Sequence, residues 1–122
     1  MMEHLSKNIV QKTVKISKNK NFLLTIMFYE NGCFITLSEE INKIGSITIS
    51  SSFKNKITSS KIIPNKFNSL FVESISQRIS SMLNGICLIS LYNKTLVDFD
   101  GMKIIMEEII DTIEERIQHE KN

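Results

Sequence analysis

The first half of the chain alternates apolar and polar residues with the two-residue period of β-strands that are buried on one face. Val10, Val14 and Ile16, for example, alternate with lysine and polar positions. The pattern predicts four strands, which are Ile9 to Ser17, Phe22 to Tyr29, Cys33 to Ser38 and Ile44 to Ser51. An Asn31-Gly32 pair between the second and third strands tolerates positive φ, so we predict a tight hairpin there.

A polar and basic stretch from Ser51 to Lys61 interrupts this pattern. Its lysines are Lys54, Lys56 and Lys61. We predict a flexible loop here, followed by a short strand at Ile62-Ile63. A long polar loop in a compact domain either has no function of its own or contacts another molecule, and the sequence favours neither interpretation.

The second half changes to helical periodicity, with apolar residues three and four positions apart. In the first predicted helix these residues are Leu70, Phe71, Ile75, Ile79 and Met82. Asn68 or Ser69 can cap its start, and Asn84-Gly85 supplies the left-handed residue that commonly ends a helix. The apolar run Ile86 to Tyr92 then predicts a buried strand. A strongly amphipathic helix follows, with Asp98 and Asp100 at its start to cap it.

The predicted order is therefore five strands, a helix, a strand and a helix, which is an α+β pattern in one domain spanning residues 1–122. Two of the strands are apolar on both faces, whereas two helices can cover only one face of a sheet this size. We expect the uncovered face to bind a second protein. The sequence leaves open which face carries the helices, and we assign the interface to Leu23, Met27, Cys87, Ile89 and Leu91.

Composition and charge restrict the classes of molecule that the chain is expected to bind. Hydrophobic residues make up 42% and charged residues 23% of the 122 residues, as in an ordinary folded domain. The net charge of +2 divides unevenly, because residues 1–66 carry ten lysines and four acids whereas residues 67–122 carry five bases and nine acids. With only two arginines, Arg78 and Arg116, we expect no nucleic-acid partner.

The sequence contains no recognisable set of catalytic or metal-binding residues. His4 and His119 lie near opposite termini, and no metal-ligand spacing, Gly-x-Ser-x-Gly elbow or Walker pattern occurs. Cys33 and Cys87 lie in apolar strands, where inert core thiols are expected. We therefore predict no enzyme activity, no metal and no cofactor.

Localisation follows from the apolar runs and the cysteines. The longest nearly apolar stretch, Phe22 to Tyr29, is far shorter than the roughly 20 residues of a membrane helix. No signal peptide is recognisable and two cysteines in apolar runs suit a reducing compartment. We expect no membrane contact and a cytoplasmic location, with the nucleus as a second candidate.

The order of these landmarks resembles the proteasome assembly chaperone 3 family from roughly Lys12 to Ile117. The segments that carry the resemblance are Cys33-Phe34-Ile35-Thr36-Leu37, Lys43-Ile44-Gly45-Ser46-Ile47, the helix from Leu70, Ile86-Cys87-Leu88-Ile89-Ser90-Leu91 and Asp100-Gly101-Met102-Lys103. The resemblance implies a six-stranded antiparallel sheet with two helices, and dimerisation through a sheet face with itself or with the paralogous proteasome assembly chaperone 4.

The resemblance also implies a function, which is non-enzymatic, ATP-independent assembly of the 20S proteasome α-ring by binding α-type subunits. Under that hypothesis we assign the α-subunit contact to Lys54, Lys56 and Lys61. Two alternatives remain open. One is a roadblock-like or profilin-like scaffold subunit of a trafficking complex, which would begin with a helix, and the other is an enzyme that acts on small molecules.

Overall fold

The computed structural model describes residues 8–121 and shows one six-stranded sheet with two helices against one of its faces. The elements in chain order are β1 (Ile9–Ser17), β2 (Lys20–Tyr29), β3 (Gly32–Glu39), β4 (Ser46–Phe53), β5 (Lys56–Ile63), α1 (Ser69–Leu83), β6 (Ile86–Tyr92) and α2 (Phe99–Lys121). This confirms the α+β class and the predicted order. The N-terminal helix expected of a scaffold subunit would fall on residues 1–7, which lie outside the described part.

The strands lie side by side in the order β1-β2-β3-β6-β4-β5. All neighbours are antiparallel except β3 and β6, which are parallel, so the sheet is mixed rather than antiparallel throughout. The reason is the crossover through α1. Because α1 crosses from one end of the sheet to the other, β6 runs in the same direction as β5. When β6 enters between β3 and β4 in this direction, it is parallel to β3 and antiparallel to β4.

The hydrophobic core lies between the two helices and one face of the sheet, called the covered face here. Isoleucine, leucine and phenylalanine side chains fill it from both sides. Those exposed by less than 2% are Phe22, Leu24, Ile26, Ile35, Leu37, Ile75, Ile79, Ile89, Leu91, Ile105, Ile109 and Ile113. Because they alternate along strands and recur every three or four residues along helices, the sequence pattern predicted most of them.

The predicted end of α1 and the predicted cap of α2 are confirmed, whereas Asn68 precedes α1 without a capping hydrogen bond from its side chain. α1 ends at Asn84, which adopts the left-handed conformation at φ 50°, and the N–H of Gly85 donates to the Ser80 carbonyl. At the start of α2 the Asp98 carboxylate accepts a hydrogen bond of 2.8 Å from the N–H of Gly101. No helix within residues 8–121 combines the length and hydropathy of a membrane span.

The predicted loop from Ser51 to Lys61 is wrong, because β4 and β5 form a hairpin over this stretch. Lys54 and Asn55 turn the chain with positive φ angles of 51° and 64°, and β5 then pairs with β4 along its length. β5 is an edge strand with every residue exposed. It has no buried face, so its sequence carries no apolar alternation by which it could be recognised.

Candidate protein-binding face

The face of the sheet that the helices leave uncovered, called the open face here, carries a continuous line of apolar side chains. Strand register places five residues opposite one another across β1, β2, β3, β6 and β4. They are Ile9, Met27, Phe34, Leu88 and Ile49, which we call the apolar row. Each side chain is only half-buried, because its neighbours flank it within the sheet while no helix within residues 9–121 lies above it.

Further apolar residues extend the apolar row toward both ends of the strands. Leu23 and Ile47 are half-buried, and Tyr29, Ile63 and Ile86 are exposed. A hollow of about 290 Å³ lies between Tyr29, Phe34, Ile86 and Leu88. Its floor is Gly32, where an added Cβ would overlap the backbone of Ile86. The hollow can therefore receive a side chain from a bound protein.

β4 places its larger apolar side chains away from the helices. Ile47 and Ile49 are on the open face, whereas the side chains beneath α1 are small and polar. Those beneath α1 are Ser46, Thr48, Ser50 and Ser52. The Ser50 hydroxyl is 2.6 Å from the Ser76 hydroxyl of α1. An isolated domain normally turns the isoleucines of such a strand inward, so this inversion makes the open face a candidate surface for protein binding.

The structure divides the residues predicted for the interface between the two faces of the sheet. Leu23 and Met27 are on the open face, as assigned, although nothing in the single chain tests their contact with a partner. Cys87, Ile89 and Leu91 were assigned to the wrong face, because they lie on the covered face and are at most 1% exposed. β6 is apolar on both sides, so its sequence does not indicate which set faces outward.

The three lysines assigned to client binding do not share one surface. Lys54 is in the β4–β5 turn and Lys56 begins β5 on the open-face side. Lys61 is on the covered side, where its Nζ is 3.5 Å from a carboxylate oxygen of Glu73 on α1. Lys54 and Lys56 can therefore contact one partner together, whereas Lys61 is separated from them.

The open face is basic as well as apolar. Lys15 of β1 and Lys56 of β5 project from it, and its described strand positions include no Asp or Glu. Lys43 lies beside it, with its Nζ 4.9 Å from the centre of the Tyr92 ring. A protein that covers this face is expected to carry negative charge at the matching positions.

The two cysteines are adjacent in the core and free. Cys33 and Cys87 are opposite each other in the parallel β3–β6 pair, with 4.0 Å between their sulfur atoms. The hydrogen bond with Cys33 and then burial raise the pKa of the Cys87 thiol, so it stays protonated and is a poor nucleophile.

Metal-binding groups are not gathered in the part of the chain that the structure describes. Within residues 8–121, no three His, Cys, Asp or Glu side chains form a group that could hold a metal ion. His119 is exposed near the end of α2. His4 lies outside the described residues.

Comparison with known proteins shows that this chain is similar in fold to a solved structure. No protein-family model matches the chain, and no curated protein matches it. One solved structure with a similar fold is a chain in the crystal structure of a novel chaperone complex for yeast 20S proteasome assembly. The TM-score is 0.58 at 9% sequence identity, and the match covers 89% of this chain and 98% of that chain. At this identity the similarity establishes the shared fold.

Sequence reasoning missed several residues of the open face. Phe34, Leu88 and Ile49 form the centre of the apolar row, yet none was assigned to the interface. Only the strand order could have identified them, because their proximity depends on β6 entering between β3 and β4. Ile47 and Ile49 did carry a signal, since they alternate with serine and threonine, but a strand with one apolar face is ordinarily expected to bury that face in its own core.

Proposed function

We propose that the chain is a non-enzymatic chaperone for assembly of the 20S proteasome α-ring, acting as a dimer that binds α-type subunits. The observation that carries the proposal is the apolar row on an uncovered sheet face. It occurs in a fold similar to that of a chain in a yeast chaperone complex for 20S proteasome assembly. The resemblance of the sequence landmarks to the proteasome assembly chaperone 3 family supports the same function.

The size of the open face suits a dimer. A sheet six strands wide and about seven residues long measures roughly 24 Å by 23 Å at standard strand spacing. This flat outline of roughly 550 Å² is smaller than the about 800 Å² of accessible surface that a standard interface removes from each partner, so a dimer would use the whole face. Helices cover the other face, which leaves the edges and turns of the sheet for a client.

Charge favours a paralogous chaperone over a second copy as the dimer partner. Two copies packed face to face would bring Lys15 and Lys56 of each chain into one interface that offers no carboxylate of its own from the described strand positions. Like charges across an interface weaken association and lower its rate. A paralogue with an acidic rim around an apolar face, in the role of proteasome assembly chaperone 4, avoids that repulsion.

The mechanism requires no nucleotide. The dimer would hold an α-type subunit in position until neighbouring subunits bind, and would then leave because its affinity for the finished ring is lower than for the intermediate. Such a difference needs only a client surface that is accessible in the intermediate and covered in the ring.

Co-purification tests the proposal. The tagged chain, isolated from its native cell at moderate salt, is expected to retain at least one proteasome α-type subunit and a second assembly chaperone. If mass spectrometry finds neither of them above an untagged control, the proposed function is wrong.

The double substitution Lys54→Ser with Lys56→Ser is expected to slow α-subunit association by roughly threefold to tenfold at low salt. The two lysines share the tip of the β4–β5 hairpin and make no ion pair within the described residues, so their loss leaves the fold unchanged. Lys61 is left intact because it pairs with Glu73.

A matched control for charge is Lys18→Ser with Lys103→Ser, since both lysines are exposed and distant from the hairpin. Surface plasmon resonance of the dimer at low and high salt measures the effect, after sedimentation velocity has shown that the double variant still dimerises, because Lys56 also projects from the open face. If both double variants associate at the rate of the wild type at low salt, the hairpin lysines do not contact the client.

A further inference from the structure

β5 is an edge strand, and no strand among the described residues pairs with its outer side. It pairs with β4 on one side only, and all eight of its residues are exposed. Three of them are isoleucines, with Ile57, Ile62 and Ile63 exposed by 43%, 56% and 47%. The opposite edge, β1, has no large exposed apolar side chain and packs against α2. An exposed apolar edge is a ready template for pairing with another strand.

The β4–β5 turn determines which backbone groups of β5 point outward. In a two-residue hairpin turn the flanking residues, here Phe53 and Lys56, form a hydrogen-bonded pair. Antiparallel pairs alternate, so Thr58 and Ser60 also bond to β4. The N–H and C=O groups of the intervening residues point out of the sheet edge. These residues are Ile57, Ser59 and Lys61.

The surroundings of this edge are strongly basic. Lys56 and Lys61 lie on β5, Lys54 lies in the turn before it, and Lys66 follows three residues after its end. The carboxylate described beside them is Glu73, whose charge is already paired with Lys61 at 3.5 Å. A segment that carries Asp or Glu is therefore complementary to the edge, whereas a second copy of β5 would bring lysines toward lysines.

We infer that β5 binds the client by strand addition. The occupant is an extended segment of the α-type subunit with alternating apolar side chains and flanking carboxylates, and its backbone bonds to Ile57, Ser59 and Lys61. This inference rests on the proposed function and deepens it. The edge bonds lie in the plane of the sheet, whereas the dimer partner packs above it, so both can be bound at once. Strand addition gives affinity, and the lysines give orientation and rate.

A single substitution with its matched control distinguishes the contribution of the backbone N–H from that of the side chain at the centre of this edge. Ser59→Pro removes the outward N–H and adds a ring at the edge, where proline does not disturb the bonds to β4. Ser59→Ala is the matched control, because it removes the same hydroxyl and its hydrogen bond from Gln77 but keeps the N–H. With the dimer intact, we expect Ser59→Pro to bind a purified α-type subunit at least about tenfold more weakly, and Ser59→Ala within about twofold of the wild type.

Hydrogen–deuterium exchange on the wild-type dimer gives a second measurement that needs no variant. Adding the α-type subunit is expected to protect the amides of Ile57, Ser59 and Lys61 while the amides along the β1 edge keep their rates. Normal binding by Ser59→Pro, or no added protection along β5, overturns the inference and leaves the proposed function standing. If the wild type binds no α-type subunit, both are wrong. If Ser59→Pro instead reduces the self-association of this chain, β5 pairs copies and the inference is wrong.

Discussion

Met27→Asp is expected to convert the dimer into monomers. Met27 lies in the apolar row between Ile9 and Phe34 and is half-buried in the single chain, so an aspartate there reaches water as long as no partner is bound. In the dimer the same carboxylate would be buried without a counter-charge. The cost is about 3 kcal/mol or more, which corresponds to at least about 100-fold weaker association.

Sedimentation velocity with the chaperone partner co-expressed measures this effect. Met27→Leu is the matched control, because it keeps an apolar side chain of similar volume and should preserve the dimer. Circular dichroism should show the same fold for both variants. A dimer of undiminished stability in Met27→Asp would place the interface on another surface.

Asn68→Ala is expected to cause the largest loss of stability. The Asn68 side chain is buried where the start of α1 meets the connection between β6 and α2. It donates to the Val97 carbonyl at 3.1 Å and accepts from the Val97 N–H at 3.0 Å and the Asn93 amide at 2.9 Å. Alanine leaves both backbone groups of the buried Val97 without these partners, at about 1–3 kcal/mol for each.

A total loss of about 3 kcal/mol would lower the melting temperature by roughly 10 °C in a domain of this size. Thermal unfolding followed by circular dichroism measures it. Asn42→Ala is the control, because Asn42 is exposed and its side chain forms no hydrogen bond within residues 8–121. The melting temperature of this variant should stay within about 2 °C of the wild type. If Asn68→Ala has the same melting temperature as Asn42→Ala, the amide network does not hold the two helix starts together.

The elements that the sequence predicted best are those with one buried face. β1 has the predicted bounds, and β2 and β3 differ from prediction by two residues or fewer at each end. Both helices were recognised from the spacing of their isoleucines and from the residues that end or cap them, such as Asn84 and Asp98. In β1 and the two helices burial of one side imposes a period on the sequence, whereas β2 is recognisable as a nearly continuous apolar run.

The β4–β5 hairpin shows where this reasoning fails. β5 buries neither face, so no period marks it, and the turn at Lys54-Asn55 lacks the glycine that usually marks a tight hairpin. The edge strand was consequently predicted as a loop. Two of the assigned contact lysines nevertheless lie together at the hairpin tip.

The candidate interface was predictable in kind but not in residue detail. Strands that are apolar on both sides predicted an uncovered apolar face, and the structure has one. The assignment of Cys87, Ile89 and Leu91 to it was wrong because outward and inward sets on β6 are equally apolar. The strand order shows which residues of β6 face outward, because it places Leu88 between Phe34 and Ile49 on the open face.

Strand order also explains one landmark of the family resemblance. Gly45 lies so close to β6 that an added Cβ would overlap the Leu91 carbonyl, and its N–H donates to the Ser90 hydroxyl at 3.1 Å. The glycine in the Lys43-Ile44-Gly45-Ser46-Ile47 segment thus allows β4 to enter the sheet beside β6. Its role is to shape the sheet rather than to contact a client.

Native mass spectrometry of the complex isolated with the tagged chain from its own cell tests the central claim most directly. One assembly is expected, whose mass is the sum of the tagged chain, a second assembly chaperone and a proteasome α-type subunit. Mild dissociation should release the α-type subunit before the two chaperones separate, because the apolar row buries more surface than the β5 edge. A chain that is found alone, or only in complexes without an α-type subunit, would contradict the proposed function.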